Sequence, residues 1–331
     1  MADSYRAIAR YLQSQTKYSP KIGIICGSGL SELSKTMTET ETFKYKDIPG
    51  FPTTSVQGHK GELVFGLLCG VPAVCLRGRF HSYEGYSQQM TALPVRVMRC
   101  LGVKLVVVTN AAGGLNPKND VCDVLNITDH FALPQLAGDN CLIGENDAEL
   151  GPRFPPMSNA YDPRCSEIVA SSAKALGFSF VKPSGTYCYV RGPMYESAAE
   201  SRFLASIGGD AVGMSTVPEI TAAHHCGIKV ICLSLLTNAV ITDPSDSRPA
   251  ASHAEVLEAT VKRSAQIQDL VKHIVANGAK EYVEGLPDLL PIDLEKGADV
   301  NVLGKLVQHG VGIGLVAAAA MVVVKAVKKR M

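Results

Sequence analysis

Short apolar runs rich in β-branched residues recur along the chain at 21–26 (KIGIIC), 62–68 (ELVFGLL), 72–78 (PAVCLRG), 104–110 (KLVVVTN) and 229–238 (KVICLSLLTN). Runs this short and this continuously apolar predict strands covered on both faces. Between and after them, apolar residues at helical spacing predict helices over 87–101, 197–207, 217–226 and 253–276. In the last of these, Leu257, Val261, Ala265, Leu270 and Ile274 are spaced along one face. The alternation predicts an α/β fold, a single domain with a central mixed β-sheet flanked by helices. Turn signals are spread evenly and there is no internal repeat, so 1–284 reads as one body. After it the character changes. Residues 285–304 carry prolines and acids and read as a linker, and 305–331 form an apolar tail with a basic end.

Composition supports a packed body: 46% of the 331 residues are hydrophobic and 19% charged, enough for a substantial core. A formal net charge of +1 offers no bulk attraction to polyanions, and there is no basic patch to read as a nucleic-acid surface. Any anionic substrate must therefore be caught locally. The ten cysteines are scattered without CxxC pairs or zinc spacing, and no apolar signal segment opens the chain, so a reduced, cytoplasmic setting is expected. Most of them, such as Cys26 and Cys232, lie inside apolar runs and read as small core residues.

Three strand ends carry anion chemistry. GSGL (27–30) follows a strand directly, where glycines let backbone N–H groups converge and Ser28 adds a hydroxyl. GRFHSYEGY (78–86) gathers Arg79, His81, Tyr83 and Glu84, and Arg79 can bind an oxyanion through two N–H groups. TNAAGG (109–114) exposes backbone N–H groups among small residues. Each alone is also what an ordinary strand-to-helix turn looks like. Together they point to a phosphate-binding α/β enzyme without naming its reaction.

At these residues the chain resembles the trimeric, 6-oxopurine-specific class of the purine nucleoside phosphorylase family. The likeness runs through IICGSGL (24–30), GHKGELVFG (58–66), GRFHSYEGY (78–86) and TNAAGGLNP (109–117). It continues through GPRFPPMSNAYD (151–162), GPMYES (192–197), DAVGMSTVPE (210–219), SLLTN (234–238) and the helix start at His253. The resemblance implies reversible phosphorolysis of inosine and guanosine, and their 2′-deoxy forms, to free base and (deoxy)ribose 1-phosphate. Inorganic phosphate would be a co-substrate, with no metal or cofactor. It implies that phosphate is held by Ser28, Arg79, His81, the backbone of Ala111 and the hydroxyl of Ser215, with His59 beside it either as a contact or as a brace for the loop. Glu196 and Asn238 would recognise the base. Tyr83, Met214 and His253 would bound the ribose, and Tyr187 and Tyr195 would pack near the nucleoside. Phe154 would reach in from a neighbouring subunit, which implies a homotrimer. On this reading Asn238, Glu196, His81 and His253 carry the catalysis.

Four positions depart from the family's usual pattern: Tyr195 for phenylalanine, Arg191 for a small residue, Ser82 for methionine and Ala239 for lysine. The first rival is 5′-methylthioadenosine phosphorylase, which shares the phosphate motifs but reads a 6-amino purine with an aspartate where this chain has Asn238. The second, of a different class, is an inactive membrane-tethered scaffold or nucleoside sensor. A membrane enters through the tail. The nineteen residues between Lys305 and Lys325 carry no Asp, Glu, Lys or Arg and as a helix would span about 28 Å, close to the hydrocarbon core of a bilayer. An anchor to an organelle membrane, with the basic end favouring the mitochondrial outer membrane, is one expectation; a helix docked on the protein's own surface or lying in the interface is the other.

Overall fold

The computed structural model describes residues 2–28, 30–56 and 58–296. The expected tail, 305–331, lies outside the described residues. Among the described residues no helix is long and apolar enough to cross a membrane.

Among the described residues nine strands form one mixed sheet: β1 Ile22–Cys26, β2 Thr38–Lys44, β3 Glu62–Leu68, β4 Val71–Arg77, β5 Leu105–Gly114, β6 Val124–Ala132, β7 Val181–Tyr189, β8 Ala211–Gly213 and β9 Lys229–Ala239. Their order is β2-β3-β4-β1-β5-β8-β7-β6-β9, and β9 also pairs with β5. That last pairing closes β5, β8, β7, β6 and β9 into a ring, while β2, β3, β4 and β1 continue from it as an open sheet. β4, β1, β5 and β9 run parallel, so their carboxyl ends share one edge. Around the sheet lie α1 Ala2–Gln15, α2 Gln88–Thr91, α3 Leu93–Cys100, α4 Leu133–Leu136, α5 Pro163–Leu176, α6 Ala198–Ser206, α7 Val217–His225, α8 His253–Ile274 and α9 Lys280–Gly285.

The five continuous apolar runs are strands for the reason their pattern gave. Side chains alternate across a strand, and both faces are covered. Ile25, Val74, Leu76, Val106 and Val108 face a core built with α1, α3 and α7. Ile22, Ile24, Cys26, Cys75 and Val107 face the opposite one, with α5 and α8. The predicted helix over 87–101 is two helices, α2 and α3, with Ala92 serving as C-cap of one and N-cap of the other. Strands β6 and β7 escape the apolar pattern because they are half-covered and carry polar residues such as Asn126, Asp129, Lys182 and Ser184.

Residues 286–296, read from sequence as the start of a free linker, are docked on the body. Lys104 Nζ donates to Leu286 O at 3.1 Å and pairs with Asp288 at 2.7 Å. Arg99 Nη2 donates to Leu290 O at 2.5 Å, and Arg6 Nε donates to Asp293 O at 3.0 Å. Ile292 and Leu294 pack against the core. The physical reason is that Arg6, Arg99 and Lys104 are buried cations, which require acceptors that this strap provides.

Truncating the fully buried Ile24 to alanine removes contacts on the α8 side of the sheet and should lower unfolding free energy by about 2–5 kcal/mol. Val261→Ala, at a position 77% exposed, should change it by less than about 0.5 kcal/mol. Urea unfolding of both variants checks the pair.

Candidate active site

The carboxyl ends of the parallel strands open onto a cavity of about 380 Å³. Gly27 and Ser28 follow β1, Arg79 and His81 follow β4, Asn110–Gly113 end β5, Ser215 follows β8, and Asn238 ends β9. The wall is completed by Tyr195 and Glu196, by Val240 and Ile241, and by His253 at the start of α8. Thus Ser28, Arg79, His81, Tyr83, Ala111, Tyr195, Glu196, Met214, Ser215, Asn238 and His253 line one cavity although they span most of the chain.

Gly27 lets β1 and β5 come close at the floor. A Cβ there would stand 2.7 Å from Thr109 O and 2.8 Å from Asn110 Cα, so no side chain fits. The Gly27 N–H instead reaches Thr109 Oγ1 at 3.3 Å. Arg79, 1% exposed, lies across this junction. Its Nη1 donates to Ser215 Oγ at 2.9 Å and Thr216 Oγ1 at 2.7 Å, and its Nη2 to Ile25 O at 3.4 Å and to Thr109 O. Thr216 is held at φ +78°, a region β-branched residues rarely occupy, at a cost of about 1–3 kcal/mol. Its hydroxyl also takes a bond from Asn110 Nδ2 at 3.0 Å, which anchors the turn.

His81 stacks on Tyr83, with ring centroids 4.6 Å apart, and is held by Glu84. One carboxylate oxygen accepts from His81 N–H at 2.9 Å and from Nδ1 at 3.1 Å. A carboxylate only accepts, so the ring proton belongs on Nδ1 and the lone pair on Nε2. Burial would raise Glu84, but the bonds from His81 and from Ser55 outweigh it and hold the carboxyl at about 2. Burial likewise lowers His81, the Glu84 bond opposing it.

His59 does not line the cavity. Its Nδ1 lies 3.1 Å from Arg79 O and its Nε2 3.3 Å from Ser28 Oγ, so it braces the serine from behind. Burial first, then His81 and Arg79, lower its pKa to about 3 and leave it neutral. Tyr187, expected beside the nucleoside, is fully buried behind the wall, where a Cβ on Gly213 would stand 2.2 Å from its hydroxyl oxygen. Phe154 is 85% exposed and does not line this chain's own cavity.

At the other end, Glu196 is half-buried, and burial raises its carboxyl above the ordinary value. The capping box of Ser197 and Glu200 fixes the start of α6 immediately after it. Asn238 pairs in register with Gly113, and Thr237 Oγ1 lies 3.2 Å from its Oδ1, which turns the Nδ2 donor to the other side. Arg191 points away from the cavity, into a 2.7 Å ion pair with Asp139. Sequence reading missed the structural parts of the site. Thr216 and Asn110 hold the floor; both stand beside motif residues, but nothing in their types announced a clamp.

The cavity therefore has one end with a cation, two hydroxyls and backbone N–H groups, chemistry that suits an anion, and a second end bearing a half-buried acid and an amide. The family profile described as the phosphorylase superfamily matches residues 21–276. Purine nucleoside phosphorylase of Bos taurus is 46% identical over 275 residues, covering 83% of this chain and 95% of that one. Purine nucleoside phosphorylase 1 of Bacillus subtilis is 46% identical over 279 residues, covering 83% and 99%. The chain belongs to the purine nucleoside phosphorylases. The crystal structure of the Schistosoma mansoni purine nucleoside phosphorylase in complex with inosine superposes with a TM-score of 0.79 at 42% identity, covering 83% of this chain and 96% of that one. The cavity gathers residues of the motifs at 24–30, 78–86, 109–117, 192–197, 210–219 and 234–238.

His59 and Glu84 together give a stability profile. Folded His59 titrates near 3 rather than 6.5, so the unfolded chain takes a proton that the native one refuses, and stability falls as pH drops from about 6.5 toward 3. Glu84, held at about 2 rather than 4.5, adds a loss between about 4.5 and 2. Urea midpoints measured across this range should fall accordingly, and His59→Gln should flatten the upper part of the curve.

Proposed function

We propose that this chain cleaves 6-oxopurine nucleosides with inorganic phosphate, releasing hypoxanthine or guanine and (deoxy)ribose 1-phosphate, with no further cofactor. The observation that carries this reading is that Glu196 and Asn238 stand in the same cavity as Ser28, Arg79, His81 and Ser215. Breaking an N-glycosidic bond builds positive charge on the sugar and negative charge on the departing base. Phosphate at the Arg79 end serves as nucleophile and as counter-charge to the sugar. When it arrives, the Ser28 hydroxyl turns its proton from His59 to the stronger acceptor. The Asn238 amide donates to the purine as charge collects at N7 and the 6-oxo group, and Glu196 accepts the N1–H. Adenosine has no proton at N1, so it leaves Glu196 unpaired, which an acid enclosed by bound substrate tolerates poorly.

The active assembly we propose is a trimer. Phe154 is exposed on its loop, and an apolar groove lined by Leu133, Pro134, Val190, Met194 and Phe203 runs beside Tyr195 and Glu196. A neighbouring copy's Phe154 would close the nucleoside end against water. For the apolar tail at 305–331 we keep the anchor reading as a proposal carried by sequence alone. Full release of the intact chain by carbonate extraction would count against it.

Phosphate-dependent release of base should be seen with inosine and guanosine and be at least about 10²-fold weaker with adenosine and methylthioadenosine. Preference for the adenine nucleosides would overturn the Glu196 and Asn238 roles, and no cleavage of any would favour an inactive scaffold. Asn238→Asp should lower kcat/KM for inosine by about 10²–10³ and narrow the gap to adenosine. Phe154→Ala should cost about tenfold in kcat/KM while sedimentation still shows a trimer; full activity in a monomer would sink the shared site.

A further inference from the structure

Glu219 is a buried acid on the first turn of α7, 3% exposed, to which the phosphorolysis above gives no task. Its Oε2 lies 3.5 Å from Arg79 Nη1, and neither carboxylate oxygen has a hydrogen-bond partner. Among the described residues this is the ion pair that Arg79 makes. Glu219 does not line the substrate cavity. It faces a small separate cavity with Ser82, Tyr189 and Thr216. Its ion pair joins it to the substrate-cavity lining at Arg79.

The guanidinium is already engaged by two hydroxyls and two carbonyls, all neutral. Glu219 is thus the one group in this cluster that offsets its charge while the phosphate end is empty. A phosphate arriving on the cavity side meets a cation that an anion on the far side already attracts. In a site this buried, solvent and salt do little to hide one anion from the other. We propose that Glu219 is a positioning residue that competes with phosphate for Arg79. It holds the guanidinium in the empty site and weakens the grip on phosphate and on the sugar phosphate, so that both exchange readily. The inference rests on the reading of Arg79 as a phosphate ligand.

The test is steady-state kinetics of full-length Glu219→Gln, with phosphate varied at saturating inosine and inosine varied at saturating phosphate. The expected result is a KM for phosphate about tenfold lower with the KM for inosine unchanged. Titration calorimetry with inorganic phosphate alone should show the same gain, and it stays readable if turnover collapses. Glu219→Asp keeps the charge but draws it back by one methylene, and should lower the phosphate KM by a smaller factor; it covers the case in which the glutamine variant does not fold. An unchanged or raised phosphate KM with a well-folded variant overturns the proposal, because a purely structural acid would not move this one constant downward. Arg79→Ala separates the two levels. If it leaves the phosphate KM unchanged, the phosphate-site reading fails and takes this inference with it. If it raises that KM while Glu219→Gln does not lower it, only the competition fails.

Discussion

A guanidinium carried into the interior has to be met by acceptors on every side, and the turns around the cavity are arranged to meet the one at Arg79. Ile25 and Thr109 offer carbonyls from adjacent parallel strands, while Ser215 and Thr216 offer hydroxyls from the turn that opens α7. Those acceptors converge only if β1 and β5 lie close together, which Gly27 permits, and only if the Thr216 turn is held in its costly conformation, which the bonds from Arg79 and Asn110 do. The sheet thus fixes the cation, and the cation in turn ties three strand ends together. Burying an isolated charge is costly, and here four acceptors on the two Nη atoms hold the guanidinium in place.

From that fixed point the rest of the cavity is layered outward by ordinary local chemistry. Glu84 orients His81 by accepting from both its backbone and its ring. His59 braces Ser28 from behind, and its own position is set by the Arg79 carbonyl. The base end is built on different devices, a strand register that sets Asn238 beside Gly113 and a helix cap that stops the chain just after Glu196. Anion and base ends are therefore built on separate devices while sharing one cavity. Arg191, which departs from the usual family residue, is taken up by Asp139 and adds its charge outside the cavity.

The strap over 286–296 shows the same economy at the opposite edge of the sheet. Buried Arg6, Arg99 and Lys104 find carbonyls and carboxylates on a segment that has no helix or strand of its own. Such a segment gains its order from the body's buried cations rather than from its own propensity, so it reads as a linker and folds against the body.

The sequence by itself determined the strands at 21–26, 62–68, 72–78, 104–110 and 229–238, because continuous apolar runs need cover on both faces. It also marked the strand ends whose glycines, hydroxyls and arginine the fold brings to one cavity. It did not show β6 and β7, whose polar positions face the half-covered side of the ring, nor the closing of β9 onto β5. Only the tertiary structure decided that His59 stands behind Ser28 rather than in the cavity, that Tyr187 supports Gly213 from within, and that Glu219 pairs with Arg79 from outside the cavity. Those are matters of which side of a residue faces which neighbour across long separations in the chain. Local pattern fixes what a residue is and which element it joins; the packing of distant elements fixes what it touches.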